Sequence, residues 1–182
     1  MSLPNYLTLF RIILVPVFFT LLLSSNGGHE PERFWALAVF ALAALTDALD
    51  GFFARLYNAR TTLGTFLDPL ADKLLLLTGY IGLLFVDSLP YRPPLWITVT
   101  IVFRDILIVC GLALIFIVRH TVSVRPHVTG KITTFFQMIC LIAILLKWPA
   151  APVLAWTTAF FCLVSAIVYI HRDFAVLLGE TA

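Results

Sequence analysis

The chain has 182 residues, 61% of them hydrophobic and 12% charged, with a mean hydropathy of +1.01. Soluble domains run at about half apolar and a quarter charged, so this composition excludes an ordinary soluble fold and points to a membrane protein. A net charge of +2 is too small to favour nucleic acid, and the three cysteines, Cys110, Cys140 and Cys162, show neither C-x-x-C nor metal-ligand spacing.

Six apolar runs approach the about 20 residues that cross a bilayer: 5–24, 33–55, 63–85, 95–118, 130–148 and 152–169. The first lacks the basic start and A-x-A pattern of a secretory signal and is too long for its apolar core, so it reads as a spanning helix. Turn signals separate the runs at Asn26-Gly27-Gly28 and at Pro90-Tyr91-Arg92-Pro93-Pro94. Little chain remains for a soluble part, and residues 1–182 read as one helical membrane domain. Trp35, Tyr91, Trp96 and Trp148 suit an aromatic belt. With six spans, Arg55, Arg60, Arg119, Arg125, Lys131 and Arg172 fall on the side of both termini, against Arg33, Arg92 and Lys147 opposite. The positive-inside rule then puts both termini in the cytoplasm.

The second and third runs hold Asp47, Asp50, Asp68 and Asp72, four of only ten acidic residues. Intramembrane charges are costly and face a partner, a cavity or a substrate path. Positions three and four apart share a helix face, so Asp47 pairs with Asp50 and Asp68 with Asp72. The short connection at 57–62 makes the two helices antiparallel neighbours whose pairs converge towards the cytoplasm. Four carboxylates repel one another unless cations intervene, and only Arg55 and Lys73 stand near. Oxygen ligands without His or Cys favour Mg2+, Mn2+ or Ca2+ over zinc. Gly51, Ala54 and Gly64 leave room for a ligand, and Arg55 adds a fixed charge suited to phosphate.

Asp47-x-x-Asp50-Gly51-x-x-Ala54-Arg55, eight residues, then Gly64-x-x-x-Asp68-x-x-x-Asp72 resembles, at every specified position, the signature of the CDP-alcohol phosphatidyltransferase family. Pro4-Asn5 with Thr8 and Arg11, Arg104-Asp105, and Gly130-Lys131 with Thr133 and Gln137 resemble further segments of that family. The resemblance implies a bundle of six transmembrane helices, often a homodimer, with a polar cavity open to the cytoplasm and a setting in the bacterial inner membrane. It implies transfer of a phosphatidyl group from CDP-diacylglycerol to an acceptor hydroxyl with release of CMP. Asp47, Asp50, Asp68 and Asp72 then bind two divalent ions, Mg2+ or Mn2+, and Asp72 is the general base. Asn5, Thr8, Asp47, Gly51, Ala54, Arg55, Gly64 and Asp68 then line the CDP-donor site.

The remaining cations admit two readings each. Arg104 lies deep in the fourth run, where adjacent Asp105 points about 100° away on an ideal helix, and it is favoured as an acceptor or pyrophosphate contact over a structural pair. Lys131 and Arg125 read as acceptor contacts or positive-inside anchors, and Arg11 as a donor-phosphate contact or a side chain snorkelling to the interface. Two branches of the family are nearest: cardiolipin synthases, with phosphatidylglycerol as acceptor, and phosphatidylglycerolphosphate synthases, with glycerol 3-phosphate. The apolar Gly111-Leu112-Ala113-Leu114 stretch, in place of a second basic-acidic pair, favours the lipid acceptor. A divalent-cation transporter is the competitor from another class, but it predicts carboxylates spread across the membrane rather than two facing pairs.

Overall fold

The computed structural model describes the backbone of residues 3–57, 62–119 and 128–177, and the side chains of 6, 8–46, 70–111 and 129–170. Among the described residues the chain is all helical: α1 Leu3–Ser24, α2 Glu30–Tyr57, α3 Thr62–Leu83, α4 Leu95–Arg119, α5 Val128–Leu145 and α6 Ala151–Leu177. Each helix coincides with one apolar run. The chain forms two compact units, one of residues 1–92 with 144–148, the other of 93–143 with 149–182.

In the first unit, α1 packs on α2 and α3. Its buried stripe is Thr8, Arg11, Leu14, Phe18, Leu22 and Ser25, the three-and-four spacing of one helix face. Phe18 meets Phe40 of α2 with ring centroids 5.5 Å apart. Leu22 and Phe19 lie over Gly82 of α3. The end of α1 is tied to the turn after α3: Asn26 Nδ2 donates to Phe85 O at 3.0 Å, Asp87 N donates to Asn26 Oδ1 at 2.6 Å, and Ser88 Oγ donates to Ser25 O at 3.0 Å. Contacts that advance together from Leu22–Gly82 to Asn26–Phe85 make α1 and α3 parallel.

The same end carries a charged clasp. Arg33 donates to Glu30 and to the carbonyl of Leu145, and Lys147 pairs with Glu30. Arg33 caps the last turn of α5, whose carbonyls have no partner within the helix. Helix α5 ends at Leu145, short of the expected 148, because Lys147 turns the chain with a φ of 57°. Hydrogen bonds from Lys147 and Arg33 hold the Glu30 carboxyl below its ordinary value of 4.5. Arg92 pairs with Asp87, so Arg33, Arg92 and Lys147, the cations that counted against the assigned orientation, are each beside an acid.

The second unit holds α4, α5 as far as Ala143, and α6. Its buried face mixes polar and small residues, Thr98, Arg104, Asp105, Thr133, Gln137, Thr158 and Ser165 beside Ala151, Ala155 and Ala159, with the larger apolar Ile97, Ile101 and Leu141. Its outer face is large and apolar, Val153 on α6 being 66% exposed and Phe160 62%. A water-soluble bundle has the opposite pattern, whereas small residues and interhelical hydrogen bonds are how helices associate in lipid. Thr133 Oγ1 donates to Phe161 O and Thr158 Oγ1 to Phe136 O, both at 3.2 Å, which staples α5 to α6 twice. Ala151–Ile170 is long and apolar enough to cross a membrane by itself, with a mean hydropathy of 2.1, while Thr8–Ser24 and Thr129–Leu145 are shorter apolar stretches.

Candidate functional site

Asp47 and Asp50 lie on α2 and Asp68 and Asp72 on α3. The side chains of Asp47, Asp50, Gly51, Ala54, Arg55, Gly64 and Asp68, with that of Asn5, fall outside the described residues, as does Arg125 altogether. Backbone register still places them. Counting back about three turns from Leu22 and from its neighbour Gly82 sets Arg11 level with Ala71 and Asp72. Counting about two turns back from Phe18 and on from Phe40, along an antiparallel pair, sets Arg11 level with Asp47. One turn further on, Thr8 comes level with Asp50 and Asp68.

Thr8 and Arg11 are both on the face of α1 that α2 and α3 cover, and both are buried. Arg11 does not snorkel, since its side chain is fully enclosed. Lys73, next to half-buried Asp72, is itself 8% exposed. The backbone register therefore brings positions 47, 50, 68 and 72 of α2 and α3 within about one turn of buried Thr8, Arg11 and Lys73, in the half away from the end pinned by Asn26. Asp72 and Lys73 each engage other groups in the structure.

Among the described residues no three His, Cys, Asp or Glu side chains converge. Asp72 is the one member of the proposed quartet whose side chain is described. The donor set read from the sequence, carboxylate oxygens alone on two neighbouring helices, fits a hard divalent ion. None of the three cysteines forms a disulfide; Cys140 and Cys162 are buried, in keeping with packing roles, and Cys110 is exposed.

In the second unit Arg104 is 1% and Asp105 0% exposed. Arg104 Nη1 donates to Asp105 Oδ1 at 2.6 Å, so the two side chains meet despite their 100° separation on the helix. An arginine stem is long enough to wrap back over the surface of its own helix. Arg104 Nε and Nη2 donate to Ser165 Oγ of α6 at 3.3 and 2.9 Å, and Nη2 reaches the carbonyl of Gly130 at 3.4 Å. Gln137 Nε2 donates to Asp105 Oδ2 at 3.2 Å. Lys131 is exposed, one residue beyond Gly130. Ser165 and Tyr169 were not legible as partners of this network, because a serine and a tyrosine on an apolar helix carry no spacing signal that links them to Arg104.

The family profile described as CDP-alcohol phosphatidyltransferase matches residues 1–171, across both units. A Bacillus subtilis (strain 168) protein named CDP-diacylglycerol--glycerol-3-phosphate 3-phosphatidyltransferase is 35% identical, covering 97% of each chain. A Mycobacterium tuberculosis (strain CDC 1551 / Oshkosh) protein named probable phosphatidylglycerophosphate synthase is 39% identical over 77% of this chain, which spans 64% of that relative's length. A Streptomyces coelicolor protein named cardiolipin synthase (CMP-forming) is 35% identical over 87% of this chain and 74% of its own.

Proposed function

The chain belongs to the CDP-alcohol phosphatidyltransferase family, and we propose that it transfers a phosphatidyl group from CDP-diacylglycerol to an acceptor hydroxyl, releasing CMP. The observation that carries this reading is the eight-residue signature lying on α2 and α3, level with buried Thr8 and Arg11 on α1. The enclosing structure is a six-span bundle, both units acting as one catalytic domain and two copies forming a homodimer. It lies in the bacterial inner membrane with termini and site towards the cytoplasm. The apolar outer face of the second unit supports the membrane setting, and the neutralisation of Arg33, Arg92 and Lys147 supports the orientation.

Asp47, Asp50, Asp68 and Asp72 hold two divalent ions, Mg2+ or Mn2+. Bound metal neutralises the donor pyrophosphate and the departing CMP. Asn5, Thr8, Gly51, Ala54, Arg55 and Gly64 accommodate the cytidine diphosphate, together with Asp47 and Asp68, and small side chains at 51 and 54 let it lie against α2. The acceptor oxygen forms a bond to the β-phosphorus as the bond to the CMP oxygen breaks. Asp72 takes the hydroxyl proton, which becomes more acidic as the oxygen attacks. Lys131 and Arg125 make up the acceptor side.

The acceptor read from the sequence is phosphatidylglycerol, giving cardiolipin, with glycerol 3-phosphate as the alternative. The stretch Gly111–Leu114 supports the lipid, because it offers no charge to a small phosphate. The test is incubation of purified protein with CDP-diacylglycerol, Mg2+ and each acceptor separately, with mass spectrometry of the lipid formed. Cardiolipin is the expected product. Phosphatidylglycerolphosphate alone would overturn the choice of acceptor, and no lipid product from any acceptor would overturn the activity.

A further inference from the structure

Arg104 sits where an acceptor-binding cation is expected, yet each of its three nitrogens is engaged inside its own unit. Nη1 holds Asp105, Nε and Nη2 hold Ser165, and Nη2 also reaches the carbonyl of Gly130. The guanidinium centre lies 5.9 Å from the ring centroid of Tyr169. Asp105 in turn accepts from Gln137. The cluster draws on α4, α5 and α6 and is charge-balanced and buried, and such a pair has low cost in lipid only when its partners are all in place.

The reach of Arg104 itself into α5 is narrow. Arg104 meets the first turn of α5 through the backbone of Gly130, and a Cβ on Gly130 would stand 2.8 Å from the Tyr169 hydroxyl and 3.5 Å from Arg104 Nη2. Glycine is thus required there by close approach. The next residue is Lys131, exposed on a turn whose position these contacts set.

We infer that Arg104 and Asp105 are positioning residues, not acceptor ligands: with Ser165, Gly130 and Tyr169 they fix the first turn of α5 and so the place of the Lys131 ammonium. This rests on the reading that Lys131 contacts the acceptor. Displacements of about 1 Å in a positioning element are enough to change turnover strongly, so the network tunes acceptor recognition from behind.

The test measures KM for donor and for acceptor separately, in detergent with CDP-diacylglycerol and Mg2+, and with whichever of phosphatidylglycerol or glycerol 3-phosphate the wild type uses. CMP affinity by calorimetry is the second readout. Ser165→Ala removes the hydroxyl that accepts from Arg104 without unbalancing charge. Loss of the two bonds that this hydroxyl accepts from Arg104 predicts a rise in acceptor KM of about 3- to 10-fold, with donor KM and CMP affinity within about twofold of wild type. Gly130→Ala gives the same split, and adding Tyr169→Phe, which removes the hydroxyl that the new methyl meets, restores acceptor KM. Donor and acceptor constants moving together, or no restoration by Tyr169→Phe, overturns the inference. Absence of CMP release by the wild type is the separate failure of the parent reading.

Discussion

Leu22 of α1 occupies the space that a side chain at Gly82 of α3 would need: a Cβ there would stand 2.6 Å from Leu22 Cδ2 and 3.3 Å from the Phe19 ring. This contact sets the register of the two helices and thereby the level of Arg11. Gly82→Val is predicted to force α1 off α3 and to lower stability by about 1–3 kcal/mol, the usual cost of overpacking. Thermal unfolding in detergent checks it. An unchanged melting temperature would mean that the helices are not in close contact at this point.

Arg11 follows from that register. In the proposed donor site the buried Arg11 guanidinium contacts the donor phosphates, and charge-assisted hydrogen bonds are worth about 1.5–3 kcal/mol. Arg11→Gln is predicted to weaken CMP binding by about 10- to 100-fold, with Arg11→Lys between it and wild type. Calorimetric titration with CMP and Mg2+ reads this out, and equal affinity for Arg11→Gln and wild type would remove Arg11 from the donor site.

Gly51 lies among the signature residues of α2, where a bulky side chain occupies the proposed nucleotide surface. Gly51→Leu is predicted to abolish CMP binding while leaving the melting temperature within a few degrees, since a leucine is well tolerated by a helix. Normal CMP affinity in that variant would move the nucleotide away from this face.

Glu30 links Arg33 and Lys147 at the opposite end. Its folded carboxyl titrates below its unfolded value, so the ionised form is the stabilising one. Its contribution is complete above the unfolded value and is lost as pH falls through the lowered folded value. Wild type is therefore predicted to melt higher than Glu30→Gln at neutral pH, with the gap closing below about pH 4. A gap that persists in acid would mean the clasp does not act through this charge.

The six helices were legible because each apolar run is long and ends in a turn signal, and every run became one helix. Spacing assigned Asp47 and Asp50 to one helix and Asp68 and Asp72 to the next, and the backbone carries them on α2 and α3. What spacing missed was reach. Arg104 and Asp105 were expected to diverge, since helical angle says where a Cβ points and not where a long side chain ends. Arg33 was expected as a loop cation near the interface. It turns inward to cap α5, a partner 112 positions away in sequence that no local pattern reveals. The level shared by Arg11, Asp47 and Asp72 needed the Phe18–Phe40 and Leu22–Gly82 contacts before it could be read.

The most direct test of the central claim is the time course of CMP release from CDP-diacylglycerol by purified protein with Mg2+ or Mn2+ and an acceptor, run beside Asp72→Asn. Wild type is predicted to release CMP, to stop when EDTA removes the metal, and to need the acceptor. Asp72→Asn is predicted to bind CMP and release almost none from the donor. CMP release by Asp72→Asn at the wild-type rate, or none from wild type with either metal and either acceptor, would contradict the account.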